Sequence, residues 1–229
     1  MVYHIPMEKL KPISVKQMII QTLSKEIVTG SIPPGQILNE RELSITLGVS
    51  RTPVREALQF LAAEGFITGS ERKSWSVTVP DVDTIRDVFG FRIIIELAGL
   101  EALFTSEDEK MLERAGTLFD DVDLDMIIKD REDYLIRDRE LHKIFACSIK
   151  NSRVMETFNK LSVWVDWVRQ LLPRNVITQS GLNEHKLLCL AIKKRNLQEA
   201  KIILTDHIKR AELDFVNLMS QSRYNNFSA

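Results

Sequence analysis

Three histidines and an aspartate hold most of the chemistry open to this chain. Of four histidines in 229 residues, His142, His185 and His207 lie in the C-terminal, helix-patterned part; His4 sits in an N-terminal arm with no assigned role. Asp138 precedes His142 by one helical turn, so both side chains leave one face of a single helix. His185 and His207 fall on the last two helices, which the short connection near Asn196 makes antiparallel. Antiparallel neighbours can bring such residues to one level of a bundle. A carboxylate with imidazoles is a ligand set for a divalent transition metal, Zn2+ first, with Ni2+ or Mn2+ as alternatives. The residues alone leave a plainer reading open, in which three unrelated histidines cap helices or lie half exposed. A metalloenzyme centre is the rival in kind. No H-E-x-x-H occurs and no general base or nucleophile is evident beside the four residues, so no enzyme is expected. Trp164 and Trp167, three apart on one helical face, read as core, as do Cys147 and Cys189.

A second group points to nucleic acid. From Asn39 to Leu61 two short amphipathic helices flank Gly48-Val49, the pattern of a helix-turn-helix. Asn39 is placed to cap the first, with Glu42 as reciprocal partner, and Leu43 and Leu47 give its apolar stripe. Gly48 suits a left-handed terminator. Ser50 caps the second helix, and Val54, Leu58 and Leu61 face its core. Arg51, Thr52 and Arg55 then occupy its first turn and a half, away from the stripe. In a helix-turn-helix those positions face base edges in the major groove, where arginine matches guanine bidentately. The alternative is an ordinary helix hairpin with two solvated arginines. Downstream, Phe66–Thr68 and Trp75–Val79 alternate as the strands of a hairpin wing. Arg72 and Lys73 at its tip are candidate phosphate or minor-groove contacts, against a plain solvated turn.

The elements that must position these groups fall into two parts. Residues 1–80 hold a helix after Ser14 (capped with Gln17), a Pro33-Pro34-Gly35 turn, the helix-turn-helix and the wing. Pro80 marks the boundary. Residues 81–229 read as helices over roughly 83–104, 107–129, 131–150, 152–172, 181–195 and 197–220, with Asp83, Ser106 and Ser152 as N-caps and Pro173 ending the fourth. The expected fold is mainly α: a winged helix-turn-helix followed by an antiparallel all-helical bundle of six or seven helices. The chain is 44% hydrophobic and 28% charged, ordinary for a globular protein. Its net charge is −1, with nine Lys or Arg against seven Asp or Glu up to Pro80 and 22 against 25 beyond it. Any DNA affinity therefore comes from placed residues rather than bulk charge. Two cysteines fit a reducing compartment rather than a disulfide scaffold. The N-terminus lacks the pattern of a signal peptide, and Arg92, Glu96 and Glu101 interrupt the most apolar run, so a cytoplasmic protein with no membrane span is expected.

Several motifs carry a resemblance. Pro34-Gly35, Leu38-x-Glu40-x-x-Leu43, Gly48-Val49-Ser50-Arg51-Thr52-Pro53-Val54-Arg55-Glu56-Ala57-Leu58 and Glu64-Gly65 resemble the GntR family of bacterial transcription regulators over residues 14 to 79. The resemblance implies DNA contacts at Arg41, Ser50, Arg51, Thr52 and Arg55. The family often has a glycine in the wing tip, where this chain reads Lys73-Ser74-Trp75. Arg92-x-x-x-Glu96, Asp138-x-x-Leu141-His142 leading to Asn151, and Glu184-His185 leading to His207 are similar to the FCD effector domain of the FadR subfamily, with Leu141 where Phe is commoner. That subfamily often holds a metal with one Asp and three His, which here implies Asp138, His142, His185 and His207. The protein ligands leave a coordination position open to a small carboxylate or hydroxy acid. Arg92, on the first bundle helix, is the second anchor for such an effector, or else a structural partner of Glu96. The function expected is a homodimeric, ligand-responsive regulator, a repressor, bound to double-stranded DNA at an inverted-repeat operator. A purely structural metal is the remaining alternative.

Overall fold

In a computed structural model, residues 13–70, 73–171 and 179–220 are described. The chain forms two compact units, Met1–Val79 and Pro80–Ala229. In the first, α1 (Val15–Val28) opens on the Ser14–Gln17 capping box and buries Ile19, Leu23 and Ile27. Helix α2 (Glu40–Thr46) starts at Asn39, whose side chain accepts from the backbone N–H of Arg41 (2.9 Å) and Glu42 (3.3 Å). It ends as Gly48 takes φ +64° and the Val49 N–H reaches back to the Ser44 carbonyl at 3.0 Å. A side chain at that φ would strain the turn, which is why glycine stands there. Helix α3 (Arg51–Ala63) buries Val54, Ala57, Leu58 and Leu61. Ser50 occupies its N-cap position but makes no side-chain cap hydrogen bond.

The sheet is antiparallel in the order β1-β3-β2, with β1 at Ile37–Leu38, β2 at Ile67–Ser70 and β3 at Lys73–Val77. The expected hairpin is present, but its strands are displaced from Phe66–Thr68 and Trp75–Val79. A third strand joins them. Strand β1 has two residues, too few for any alternation to reveal. Arg72 and the side chain of Lys73 lie outside the described residues.

The second unit holds seven helices among the described residues: α4 (Val82–Thr105), α5 (Glu109–Thr117), α6 (Leu124–Lys129), α7 (Arg131–Ser148), α8 (Ser152–Leu171), α9 (Gln179–Lys193) and α10 (Leu197–Ser220). The helix expected over 107–129 is two helices. Phe119 and Val122 turn inward between them, and the Asp123 carboxylate starts α6 by accepting from the Met126 N–H at 2.8 Å. Other starts move by one or two residues. Asp81, not Asp83, accepts from the Thr84 N–H (2.7 Å); Asp108, not Ser106, accepts from Met111 (3.0 Å); Asn151, not Ser152, accepts from Arg153 (2.9 Å). In each case a better-placed acceptor stood beside the expected one. Pro173 lies outside the described residues. Between α9 and α10, Arg195 takes φ +54° and Asn196 caps α10. No described helix is long and apolar enough to cross a membrane.

Helix α4 packs against α7 and α10 at the centre of this unit. Its approach to α7 is set at Gly99, where an added Cβ would stand 2.1 Å from the Phe145 carbonyl oxygen. The backbone itself is in the way, so no rotamer change relieves the overlap. Gly99→Ala is expected to destabilise the protein by about 1–3 kcal/mol, the usual range for overpacking a core. A lower urea midpoint checks this, and an unchanged midpoint would refute the close approach.

Candidate metal centre and nucleic-acid interface

Helix α7 supplies Asp138 and His142, α9 supplies His185 and α10 supplies His207. All four are buried, and one ligand atom from each lies within 4.8 Å of the others. The sequence-predicted metal residues are thus brought together. Each imidazole is oriented from behind. Nδ1 of His142 donates to the Glu96 carboxylate (2.5 Å) and Nδ1 of His207 to that of Glu184 (2.8 Å); Nδ1 of His185 meets the Tyr134 hydroxyl at 3.0 Å. A carboxylate accepts, so the proton of neutral His142 and His207 stays on Nδ1 and the lone pair on Nε2. Nε2 of His185 and of His142 lie 3.2 Å and 3.8 Å from Oδ1 of Asp138. Both nitrogens are buried, and neither contact has the geometry of a good hydrogen bond. Convergent nitrogens aimed at a carboxylate, each backed by a second group, fit a transition-metal cation.

The charges agree. Burial lowers the pKa of His185, and burial with the neighbouring His185 lowers that of His207 to about 3, so both are neutral and able to ligate at ordinary pH. Burial alone would raise Asp138, but Arg169 and the imidazoles outweigh it and hold the carboxyl well below its usual range. Glu184 is likewise held at about 2 against burial by His207 and Arg210. Beside the ligands a cavity is lined by Arg92, Asp138, Arg139, His142, Asp166 and Arg169. Its free room is about 20 Å³, enough for one water.

Arg92 is 5% exposed; its Nε donates to Glu96, the structural role foreseen for it, and the residue also lines the cavity. Sequence reading passed over Arg169, whose Nη1 donates to Oδ2 of Asp138 at 2.9 Å. It also passed over Tyr134 as a partner of His185. Tyr134 carried a signal, being one turn before Asp138 on the same face. Arg169 carried none, since α8 meets the site only in three dimensions. Trp167 is fully buried and Trp164 packs on the core, as expected, their rings 5.0 Å apart. Cys189 is buried in the same core.

In the first unit, Arg41, Ser50, Arg51 and Thr52 are exposed, as DNA contacts must be. Arg55 is half-buried and differs from them. Its Nε and Nη2 donate to Oε2 of Glu40 at 3.1 and 3.0 Å, while Oε1 of Glu40 accepts from Nε1 of Trp75 at 3.0 Å. One carboxylate thereby ties α2 to α3 and to β3.

Comparison with known proteins follows the same division. A family model described as bacterial regulatory proteins, gntR family, matches residues 15–77, and one for the FCD domain matches residues 87–210. The chain belongs to the GntR family of bacterial transcription regulators, in its FCD-containing branch. An FCD domain fits the FadR-like subfamily. This GntR regulator is 26% identical over 180 residues to the gluconate operon transcriptional repressor of Bacillus licheniformis, covering 76% of this chain and 74% of that protein. Its fold is similar to that of a GntR transcriptional regulator from Rhodococcus sp. RHA1, with a TM-score of 0.72 at 21% identity over 88% of this chain and 97% of the other. The Zn2+-bound FCD domain of TM0439 is similar at TM-score 0.51 and 27% identity, covering 62% of this chain and 98% of that domain. The family and these relatives are regulators of transcription, not enzymes.

Proposed function

We propose that this GntR regulator represses transcription as a homodimer, reading an inverted-repeat operator through Arg41, Ser50, Arg51, Thr52 and Arg55, with Arg72 and Lys73 as wing contacts. Its operator affinity is set by a small carboxylate or hydroxy acid bound at a divalent metal, Zn2+ foremost, held by Asp138, His142, His185 and His207. The observation that carries the metal is the pair of buried, unpartnered Nε2 atoms of His142 and His185 facing Asp138. The Zn2+-bound FCD relative supports the choice of ion, and the gluconate operon transcriptional repressor supports repression. The metal supplies a Lewis-acidic position for an anion. The protein's own part is to orient the imidazoles and to keep those of His185 and His207 neutral. A cavity with room for one water favours coupling, because an effector of several atoms binds only a rearranged wall. Such a preference between conformations is what allosteric control requires.

Binding of the full chain to DNA from upstream of its own gene tests the proposal, metal-loaded and chelated, with and without a panel of small carboxylates and sugar acids. A carboxylate that raises the Tm of the metal-loaded protein and weakens DNA binding, with both effects lost on chelation, is the expected result. Effects that survive chelation would leave the metal a structural role and refute effector binding at the ion.

A further inference from the structure

We propose that Glu40 is a specificity-determining residue of the DNA interface. By tying Arg55 to the buried indole of Trp75, it makes Arg55 a reader of base sequence rather than a general attractor of phosphate. The proposal rests on Arg55 as a DNA contact and names the residue that positions it. Three elements converge on this one carboxylate. Glu40 is the first residue of α2, Arg55 lies in the second turn of α3, and Trp75 lies in β3 of the wing. Oε2 of Glu40 accepts from Nε and Nη2 of Arg55 at 3.1 and 3.0 Å, and Oε1 accepts from Nε1 of Trp75 at 3.0 Å. Both carboxylate oxygens are thereby engaged.

The hydrogen bonds run from the core to the surface. Trp75 is 5% exposed, so its indole is a fixed anchor. The side chain of Glu40 is 17% exposed and that of Arg55 43%. The guanidinium at the outer end follows exposed Arg51 by one turn of α3, away from buried Val54 and Leu58. Hydrogen bonds between charged partners are the stronger kind. An arginine already ordered in the free protein has less side-chain entropy to lose when it meets DNA.

Charge acts in the same direction. A carboxylate on a face that meets phosphate lowers affinity for all DNA. The N-terminal part has little positive charge to spare, with nine Lys or Arg against seven Asp or Glu up to Pro80. Burial alone would raise the Glu40 carboxyl, but Arg55 and Trp75, helped by the charge of Arg51, outweigh it and hold the group below its usual range. Glu40 is therefore ionised beside both arginines and damps their pull on phosphate, which every duplex supplies. What remains to Arg55 is the directional hydrogen bonding of a held guanidinium, which only a matching base edge satisfies. Affinity for DNA at large falls and discrimination between sequences rises.

Selection of duplexes from a randomised pool by the full chain gives base preference at each position. Titration of one fixed, unselected duplex at several salt concentrations gives non-specific binding. Parent, Glu40→Gln and Arg55→Ala are compared, with Glu42→Gln as the same charge change at an exposed residue of α2. Gln at position 40 keeps an acceptor for the buried indole but loses the charge that holds Arg55. Glu40→Gln should lose about tenfold in preference at the same position that Arg55→Ala flattens. Its non-specific binding should tighten and its salt slope steepen by up to about one. Glu42→Gln should alter non-specific binding alone. Trp75→Phe, which removes the indole donor and keeps the carboxylate, should weaken the same position, and it carries the test if Glu40→Gln does not fold. An unchanged preference at that position would overturn the inference. So would equal loss at every position together with weaker non-specific binding, which a purely structural role predicts, or a Glu42→Gln protein that behaves like Glu40→Gln. If Arg55→Ala flattens no position, Arg55 reads no base and the inference falls with that assignment. Preference lost in Arg55→Ala but kept in Glu40→Gln overturns the inference alone.

Discussion

His185→Ala is expected to abolish stoichiometric metal retention. His185 sits deepest of the four, fully buried, stacked on Phe119 at a ring separation of 4.5 Å and held at Nδ1 by Tyr134. Its loss removes a ligand that no neighbouring group replaces among the described residues, and the packing on Phe119 keeps water from forming a substitute shell. The loss of affinity should exceed the roughly 10–100-fold that removal of an orienting partner costs. Tyr134→Phe supplies that comparison, because it deletes one hydroxyl and leaves the imidazole in place. Metal-free, both variants should unfold with midpoints closer to each other than when metal is supplied, since the ion stabilises only a protein able to bind it. Metal content of His185→Ala equal to the parent's would remove His185 from the centre, whatever its stability.

Arg51→Ala should weaken specific operator binding by about 1–3 kcal/mol and relax base preference at one position in each half-site. Arg51 is exposed at the first position of α3, away from its buried face, and in a helix-turn-helix it is the N-terminal residues of the second helix that face base edges. Its removal should leave folding stability within about 0.5 kcal/mol, as for most exposed sites. Arg55→Ala differs. Arg55 shares the Glu40 carboxylate with Trp75, so its removal also undoes a tie between α2 and α3. Such a half-exposed pair contributes about 0–1 kcal/mol, and a small fall in the urea midpoint should accompany its DNA defect. Competition titrations with single-base operator variants read the preference. An Arg51→Ala protein as selective as the parent would sink the assignment of α3 as the reading helix.

The helix-turn-helix was legible because its signals are local. Asn39 marks a helix end through its side-chain reach and Gly48 and Ser50 through their backbone angles, and Val54, Leu58 and Leu61 recur at the helical period. The wing was less so. A two-residue strand at Ile37–Leu38 has no periodicity, and it pairs with β3 across a long stretch of chain. In the bundle, periodicity placed the long helices but ran α5 and α6 together. The pattern continues through Phe119 and Val122, which are apolar for the sake of the core and not of a helix.

The candidate centre divides the same way. Sequence alone determined which residues share a face, Asp138 with His142, and that α9 and α10 run antiparallel. It also placed Arg51 and Thr52 at the start of a helix. Tertiary structure decided what no local rule encodes. It closed four ligand atoms to within 4.8 Å, set Glu96, Tyr134 and Glu184 behind the imidazoles, and brought Arg169 from α8 onto Asp138. Helix period and capping act over a few residues, whereas convergence at a buried site depends on how whole helices pack. At Gly99 the absence of one carbon sets how closely α4 lies on α7, and so where Glu96 meets His142.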